Sequence, residues 1–136
     1  AAVARALADH GHRVVLTGGD AERERAVHIA RVAGIEEGMV LAGRTELAEL
    51  VALIAAARLV VSADTGAAHL ASAYGRPSVV LFGPAPPSEW GPPPGPHIVL
   101  TDESRRRGDA FAADPDPALL AVLPEHVLDA VSRLHV

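Results

Sequence analysis

Short runs of apolar residues alternate along the chain with longer segments whose apolar positions recur at helical spacing. The runs, which are continuous as in strands buried on both faces, are Val14–Leu16, Met39–Leu41, Leu59–Ser62, Ser78–Phe82 and His97–Leu100. They begin roughly 20 residues apart, which is typical of strand–helix–strand units. The pattern therefore predicts an α/β fold, a Rossmann-like parallel sheet with helices on both faces.

Helix boundaries are predicted from amphipathic spacing and from the glycines and prolines that end or begin helices. The predicted helices are the N-terminal segment up to Gly11, Ala21–Gly34, Thr45–Ala57, Gly66–Tyr74 and a terminal helix from Pro124. Residues 101–117 are polar, then basic, then rich in Asp and Pro, which predicts a long surface loop. Trp90 lies between two Pro-rich turns and is expected to clamp this loop region by hydrophobic packing rather than to present a platform for a sugar.

Composition narrows the class of protein. The 136 residues fit one domain, and with 49% hydrophobic but only 3% aromatic residues the core must consist of Val, Leu, Ile and Ala. A net charge of −5 without a long basic run argues against nucleic acid as a partner. The absence of cysteine excludes disulfides and thiolate metal sites. No apolar stretch approaches the roughly 18 residues of a transmembrane segment.

The strongest candidates for chemistry follow the third predicted strand. Asp64, Thr65 and Gly66 lie where an open α/β sheet binds ligands, and a phosphate can approach the helix amides closely at a residue without a Cβ atom. His69, one turn after Thr65, can donate to a phosphate oxygen, and the chain contains no lysine that could do so. The alternative is that Asp64 and Thr65 only cap the helix and His69 is a packed, hydrogen-bonded residue.

Two other strand ends carry weaker candidates for substrate binding. Thr17, Gly18 and Gly19 lack the third glycine of a dinucleotide fingerprint and are by themselves more typical of a tight turn. Glu22 can accept hydrogen bonds from ribose hydroxyls or serve as an ordinary first-turn acid. In the turn Gly43-Arg44-Thr45, Thr45 can contact a base edge or cap the next helix.

Two further clusters of polar and charged residues are not interpreted as functional sites. Asp64 and His69 would give a metal ion only two ligands, so no metal is expected. Arg105, Arg106 and Arg107 could form a patch for an acceptor or a lipid surface, but a run of three charges is usually a solvated loop.

The segment Val60–Pro84 resembles glycosyltransferase family 9, whose best-known members are the ADP-heptose:lipopolysaccharide heptosyltransferases. The family pattern is an apolar strand, Asp-Ser/Thr-Gly, two residues, His, an Ala-rich helix, Gly-x-Pro, a second apolar strand and Phe-Gly-Pro, and all of it is present. The resemblance extends to Val14–Gly19, Leu41–Leu47 and Pro124–Leu134. It implies that residues 1–136 are the C-terminal, nucleotide-sugar-binding half of a GT-B enzyme. The chain begins like the middle of a helix, so we expect it to be truncated at its N-terminus.

The resemblance also implies a reaction. A heptose-like sugar passes from a nucleoside-diphosphate sugar, most naturally ADP-linked, to a glycan or glycolipid of the cell envelope, with inversion and without metal or cofactor. Asp64, Thr65, Gly66 and His69 would surround the diphosphate and sugar, with His69 stabilising the leaving group. Glu22 would contact the ribose, and Thr45 with the turn Leu41–Arg44 would line the base.

The general base and the acceptor surface would belong to a missing N-terminal domain, so the chain alone is expected to bind nucleotide without turnover. A cytoplasmic protein is implied, with a peripheral contact at the inner face of the membrane. Two alternatives remain open: a non-catalytic nucleotide-binding Rossmann module, and a sugar-nucleotide epimerase on the same fold.

Overall fold

The computed structural model describes all 136 residues, with ten α-helices and β-strands joined by turns that include three short 3-10 helices. The strands are β1 (Val60–Ala63), β2 (Ser78–Leu81) and β3 (His97–Leu100). The helices are α1 (Ala2–Asp9), α2 (Arg23–Ala33), α3 (Leu47–Ala56), α4 (Gly66–Ala73), α5 (Pro87–Trp90), α6 (Pro117–Leu120) and α7 (Pro124–Arg133). The chain divides within α3 into two compact units, residues 1–50 and residues 51–136.

The second unit contains a parallel sheet in the order β1-β2-β3. Its central strand contacts both α4 and α7. Val80 and Phe82 pack with Ala68 of α4, whereas Val79 points to the opposite face of the pleat and is also fully buried. Helices therefore cover both faces of β2, and the predicted α/β class with a parallel sheet is confirmed.

The first unit packs α1 against α2. Its core joins the alanine face of α2, Ala26 and Ala30, to Val40 and Ala42, with Leu16 packed against them. As predicted, α2 ends at Gly34, which adopts a left-handed conformation with φ of 74°.

The two strands predicted in this unit are wrong, since Val14–Leu16 and Met39–Leu41 form one isolated parallel bridge between Leu16 and Val40. The 3-10 helix Glu37–Met39 explains the failure. It directs the Met39 N–H to the Glu36 carbonyl at 2.9 Å, so this amide is not available to donate to Val14 and lengthen the ladder.

Two helix starts also differ from the prediction. The segment expected to become helical at Ala21 first forms the 3-10 helix Asp20–Glu22, and α2 begins at Arg23. The helix expected from Thr45 begins at Leu47, with the Glu46 N–H donating to the Glu49 carboxylate at 3.1 Å.

The segment 101–117 is folded more tightly than a solvated loop. It contains the 3-10 helix Glu103–Arg105, and Asp116, only 3% exposed, accepts hydrogen bonds from the backbone N–H groups of Arg107, Gly108 and Ala118. The expectation of a solvated arginine run is wrong for Arg106, whose side chain is 14% exposed. Its guanidinium donates to the Gly83 carbonyl and to the Thr101 hydroxyl, both at 3.0 Å.

Candidate functional site

The N-terminus of α4 presents backbone N–H groups that the protein itself leaves free. Thr65 is the residue before the helix, but its side chain does not cap it. Instead the Thr65 hydroxyl lies 3.0 Å from that of Ser62, which donates to the Ala63 carbonyl. The amides of Gly66 and Ala67 therefore donate to no acceptor in the chain. Two open amides at the positive end of a helix dipole form a site suited to an anion.

The approach to these amides is open at Gly66. A Cβ atom built there would meet no protein atom within 4 Å. The packing of the chain therefore does not require glycine at this position, and the space is free for a ligand.

Asp64 and His69 flank the same helix end. The Asp64 N–H continues the sheet by donating to the Leu81 carbonyl at 3.2 Å. Its carboxylate Oδ1 lies 3.7 Å from His69 Nε2, and the two side chains are 23% and 59% exposed. Neither side chain makes a hydrogen bond within the chain at this distance. The imidazole can therefore donate to a bound anion, which is what the first of the two sequence interpretations requires. His69 is not the packed, hydrogen-bonded residue of the second interpretation.

The remaining predicted residues lie in the first unit, where two turns meet. The Gly43 N–H donates to the Gly18 carbonyl at 2.9 Å, and a Cβ on Gly43 would come within 2.4 Å of Asp20 Oδ1. The two turns that the sequence places after its first two predicted strands therefore lie close together within this unit, as predicted. Thr17 and Arg44 are exposed, and Thr45 is half-buried.

Glu22 has a structural task in this turn. Its Oε2 accepts the Gly19 N–H at 2.8 Å and closes the turn, while Oε1 makes no hydrogen bond within the chain and can still accept from a ligand. The sequence does not predict the contact of Arg23, whose guanidinium donates to the Ala42 carbonyl at 2.9 Å. The one signal for this contact is a basic side chain at the start of a helix, where the helix dipole disfavours it.

Trp90 does not clamp a loop, and that prediction is wrong. It ends α5, a short helix absent from the sequence prediction, and the residue is 55% exposed. Trp90 instead lines a narrow crevice together with Asp64 and His69.

No group of three or more His, Asp or Glu side chains is arranged to hold a metal ion. None of the helices has the length and the apolar character that crossing a membrane would demand.

The motif around α4 has a counterpart in known proteins. The sequence profile of glycosyltransferase family 9 (heptosyltransferase) matches residues 1–107, which include the whole Asp64–His69 corner. The chain belongs to glycosyltransferase family 9. The predicted resemblance is thereby confirmed.

Similar family 9 proteins agree with this assignment. Lipopolysaccharide heptosyltransferase 2 of Escherichia coli is 34% identical over 98% of this chain and 40% of its own length. Lipopolysaccharide heptosyltransferase 1 of Pseudomonas aeruginosa is 42% identical over 65% of this chain and 24% of its own. The chain thus spans about 40% of the length of the first of these relatives.

Solved structures of family 9 members share the fold. The ADP-heptose lps heptosyltransferase II of Escherichia coli matches with a TM-score of 0.78 at 30% identity, over 97% of this chain and 39% of its own. The Escherichia coli heptosyltransferase WaaC with ADP matches with a TM-score of 0.73 at 27% identity, over 97% of this chain and 37% of its own.

Proposed function

We propose that this family 9 chain is the donor-binding part of a glycosyltransferase. It binds an ADP-linked sugar of the heptose type, which the full-length protein transfers to a glycan or glycolipid of the cell envelope. The observation that carries the proposal is the pair of free amides at Gly66 and Ala67 beside the exposed imidazole of His69.

The chemistry follows from where charge develops. When the bond between the anomeric carbon and the diphosphate breaks, negative charge grows on the leaving phosphate oxygen. The two helix-end amides are donors held in place before the reaction, which is the arrangement that stabilises such charge, and the exposed His69 imidazole can add a third donor. We infer that these donors take the part that a metal ion plays in other transferases, and that the reaction needs none.

The proposal also includes inversion at the anomeric carbon and a general base for the acceptor. A single displacement inverts the anomeric centre and requires a base at the acceptor hydroxyl. Asp64 lies at the helix end that receives the leaving group, so we assign the base to the N-terminal domain implied by the family resemblance and not to Asp64.

The nucleoside end of the donor is assigned through the family resemblance. We infer that Glu22 contacts the ribose, that Thr45 with the turn Leu41–Arg44 lines the base, and that the turn Thr17–Gly19 is a further binding segment. The free Oε1 of Glu22 supports the first of these roles. One similar structure is of an ADP-heptose heptosyltransferase and another is of a heptosyltransferase with ADP, which supports an adenine nucleotide in the donor.

The test of the proposed activity is a transfer assay with the full-length protein. We expect ADP-heptose and a heptose-free lipopolysaccharide acceptor to yield heptosylated acceptor and ADP, at an undiminished rate in excess EDTA and with inverted anomeric configuration by NMR. Isomerised donor without acceptor would instead identify an epimerase. Nucleotide binding without any turnover across a panel of nucleotide sugars would identify a non-catalytic module.

A substitution at Gly66 separates binding from folding. Gly66→Ala adds a methyl group where no protein atom lies within 4 Å, so the melting temperature without ligand should stay within about 1 °C of wild type. The same methyl group should obstruct a phosphate at the amides, and the rise in melting temperature caused by ADP should be lost. Gly38→Ala is the matched control, since its Cβ also meets open space, in residues 1–50. Equal stabilisation of the two variants by ADP would contradict the assignment.

A further inference from the structure

The position of Trp90 is fixed by its backbone, although its side chain projects into solvent. The Trp90 N–H donates to the Pro86 carbonyl at 3.2 Å, and the Gly91 N–H donates to the Pro87 carbonyl at 2.8 Å. A Cβ on Gly91 would come within 2.4 Å of that Pro87 oxygen, so this tight turn requires glycine. This chain thus presents its one tryptophan at a defined place, with more than half of the residue exposed.

The surroundings of Trp90 connect it to the helix end that binds the leaving group. Trp90 and Pro92 line a crevice together with Asp64, His69 and Ser72. The crevice holds about 10 Å³ of free space, which is room for about one water molecule and too little for a sugar ring. A ligand that extends from the amides of α4 toward this side must therefore lie across the mouth of the crevice.

The indole has the chemistry of a sugar contact. Its ring offers a flat apolar face, and the exposed Trp90 Nε1–H donates to no acceptor in the chain and can donate to a ligand. A pyranose presents one face of C–H groups and a rim of hydroxyls, so a face contact and one N–H donor match it. In a nucleoside-diphosphate sugar, the ring is attached directly to the terminal phosphate.

We propose that Trp90 is a donor-specificity residue: its indole packs against the sugar ring of the donor while the amides of α4 hold the diphosphate. The proposal rests on the proposed function of the α4 corner and adds a recognition element for the sugar. Asp64 and His69, which line the same crevice as Trp90, would then lie on the phosphate side of the sugar ring.

The test compares two ligands that differ only in the sugar. Trp90→Ala should weaken binding of ADP-heptose to the full-length protein by about 10-fold, the size of a well-placed aromatic contact, and leave the affinity for ADP within about two-fold. Trp90→Phe should retain most of the ADP-heptose affinity, because it keeps an aromatic face. Phe111→Ala, which removes another exposed aromatic side chain, is the matched control and should change neither affinity.

Fluorescence gives a second readout that a structural role would not affect. The wild-type minus Trp90→Phe difference spectrum should shift with ADP-heptose and not with ADP. If wild type does not bind ADP, the proposed function itself fails. If ADP binds but Trp90→Ala weakens ADP and ADP-heptose equally, or leaves both unchanged, the proposed function stands and the role of Trp90 is overturned.

Discussion

Replacing Asp116 by Ala is expected to lower the melting temperature of the protein by roughly 5–10 °C. The Asp116 carboxylate accepts the backbone N–H groups of Gly108 and Ala118 at 2.9 Å each and that of Arg107 at 3.1 Å. Its removal leaves these donors without partners in a place that water reaches poorly, and it also removes the N-terminal cap of α6. Asp114→Ala, a change at an exposed aspartate of the same segment, should leave the melting temperature within about 1 °C.

The pH dependence of this effect has a definite sign. Burial raises the pKa of the Asp116 carboxyl, but hydrogen bonds from the Ala118, Gly108 and Arg107 amides and the charge of Arg107 outweigh it, so the pKa lies below its ordinary value. A carboxylate with a lowered pKa stabilises the fold fully above its unfolded-state pKa of about 3.9 and loses this contribution as the pH falls through the folded-state value. The difference in melting temperature between wild type and Asp116→Asn should be constant near neutral pH and shrink below about pH 4. A difference that grows on acidification would contradict the assignment.

Replacing His69 by Ala is expected to lower kcat for sugar transfer by about 100-fold, the usual loss when one donor to a developing negative charge is removed. Folding should not suffer, because the side chain is 59% exposed and Ala is a strong helix former. ADP affinity should fall less than kcat, since the full charge on the leaving oxygen develops only in the transition state.

The matched control is His28→Ala on α2, where an exposed imidazole without a hydrogen-bond partner is removed. Steady-state kinetics with ADP-heptose and acceptor give the comparison, and His69→Gln, which retains a donor, should recover part of the lost rate. A His69→Ala enzyme with wild-type kcat would show that the leaving group is stabilised elsewhere.

Part of this fold could be predicted because its signals are local. The helix α4 and strand β3 agree with the prediction to within one residue, since an Ala-rich segment between Gly66 and Gly75 and a bounded apolar run each depend on few distant contacts. The failure at Met39–Leu41 has the opposite cause. This run is apolar, yet the Glu36 carbonyl accepts the Met39 N–H that a longer ladder would need, and no propensity reveals that competition.

The residues discussed as candidate sites also fall into those that local sequence predicts and those that depend on distant contacts. The corner from Asp64 to His69 was predictable because its members are neighbours in sequence, and one strand and one helix position them all. The prediction for Trp90 is wrong because the exposure of this residue depends on how α5 packs, which proline content alone does not determine. The sequence places Asp116 in a surface loop because its partners at Arg107 and Gly108 lie eight or nine residues away, across a segment without periodicity.

The most direct measurement of the central claim is calorimetric titration of ADP into the full-length wild type, Gly66→Ala and Gly38→Ala. If the amides at the start of α4 hold a diphosphate, Gly38→Ala should bind ADP as wild type does, and Gly66→Ala should bind it at least about 10-fold more weakly. Adenosine, which has no phosphate, should bind all three proteins equally. ADP binding of wild-type strength in Gly66→Ala would contradict the claim.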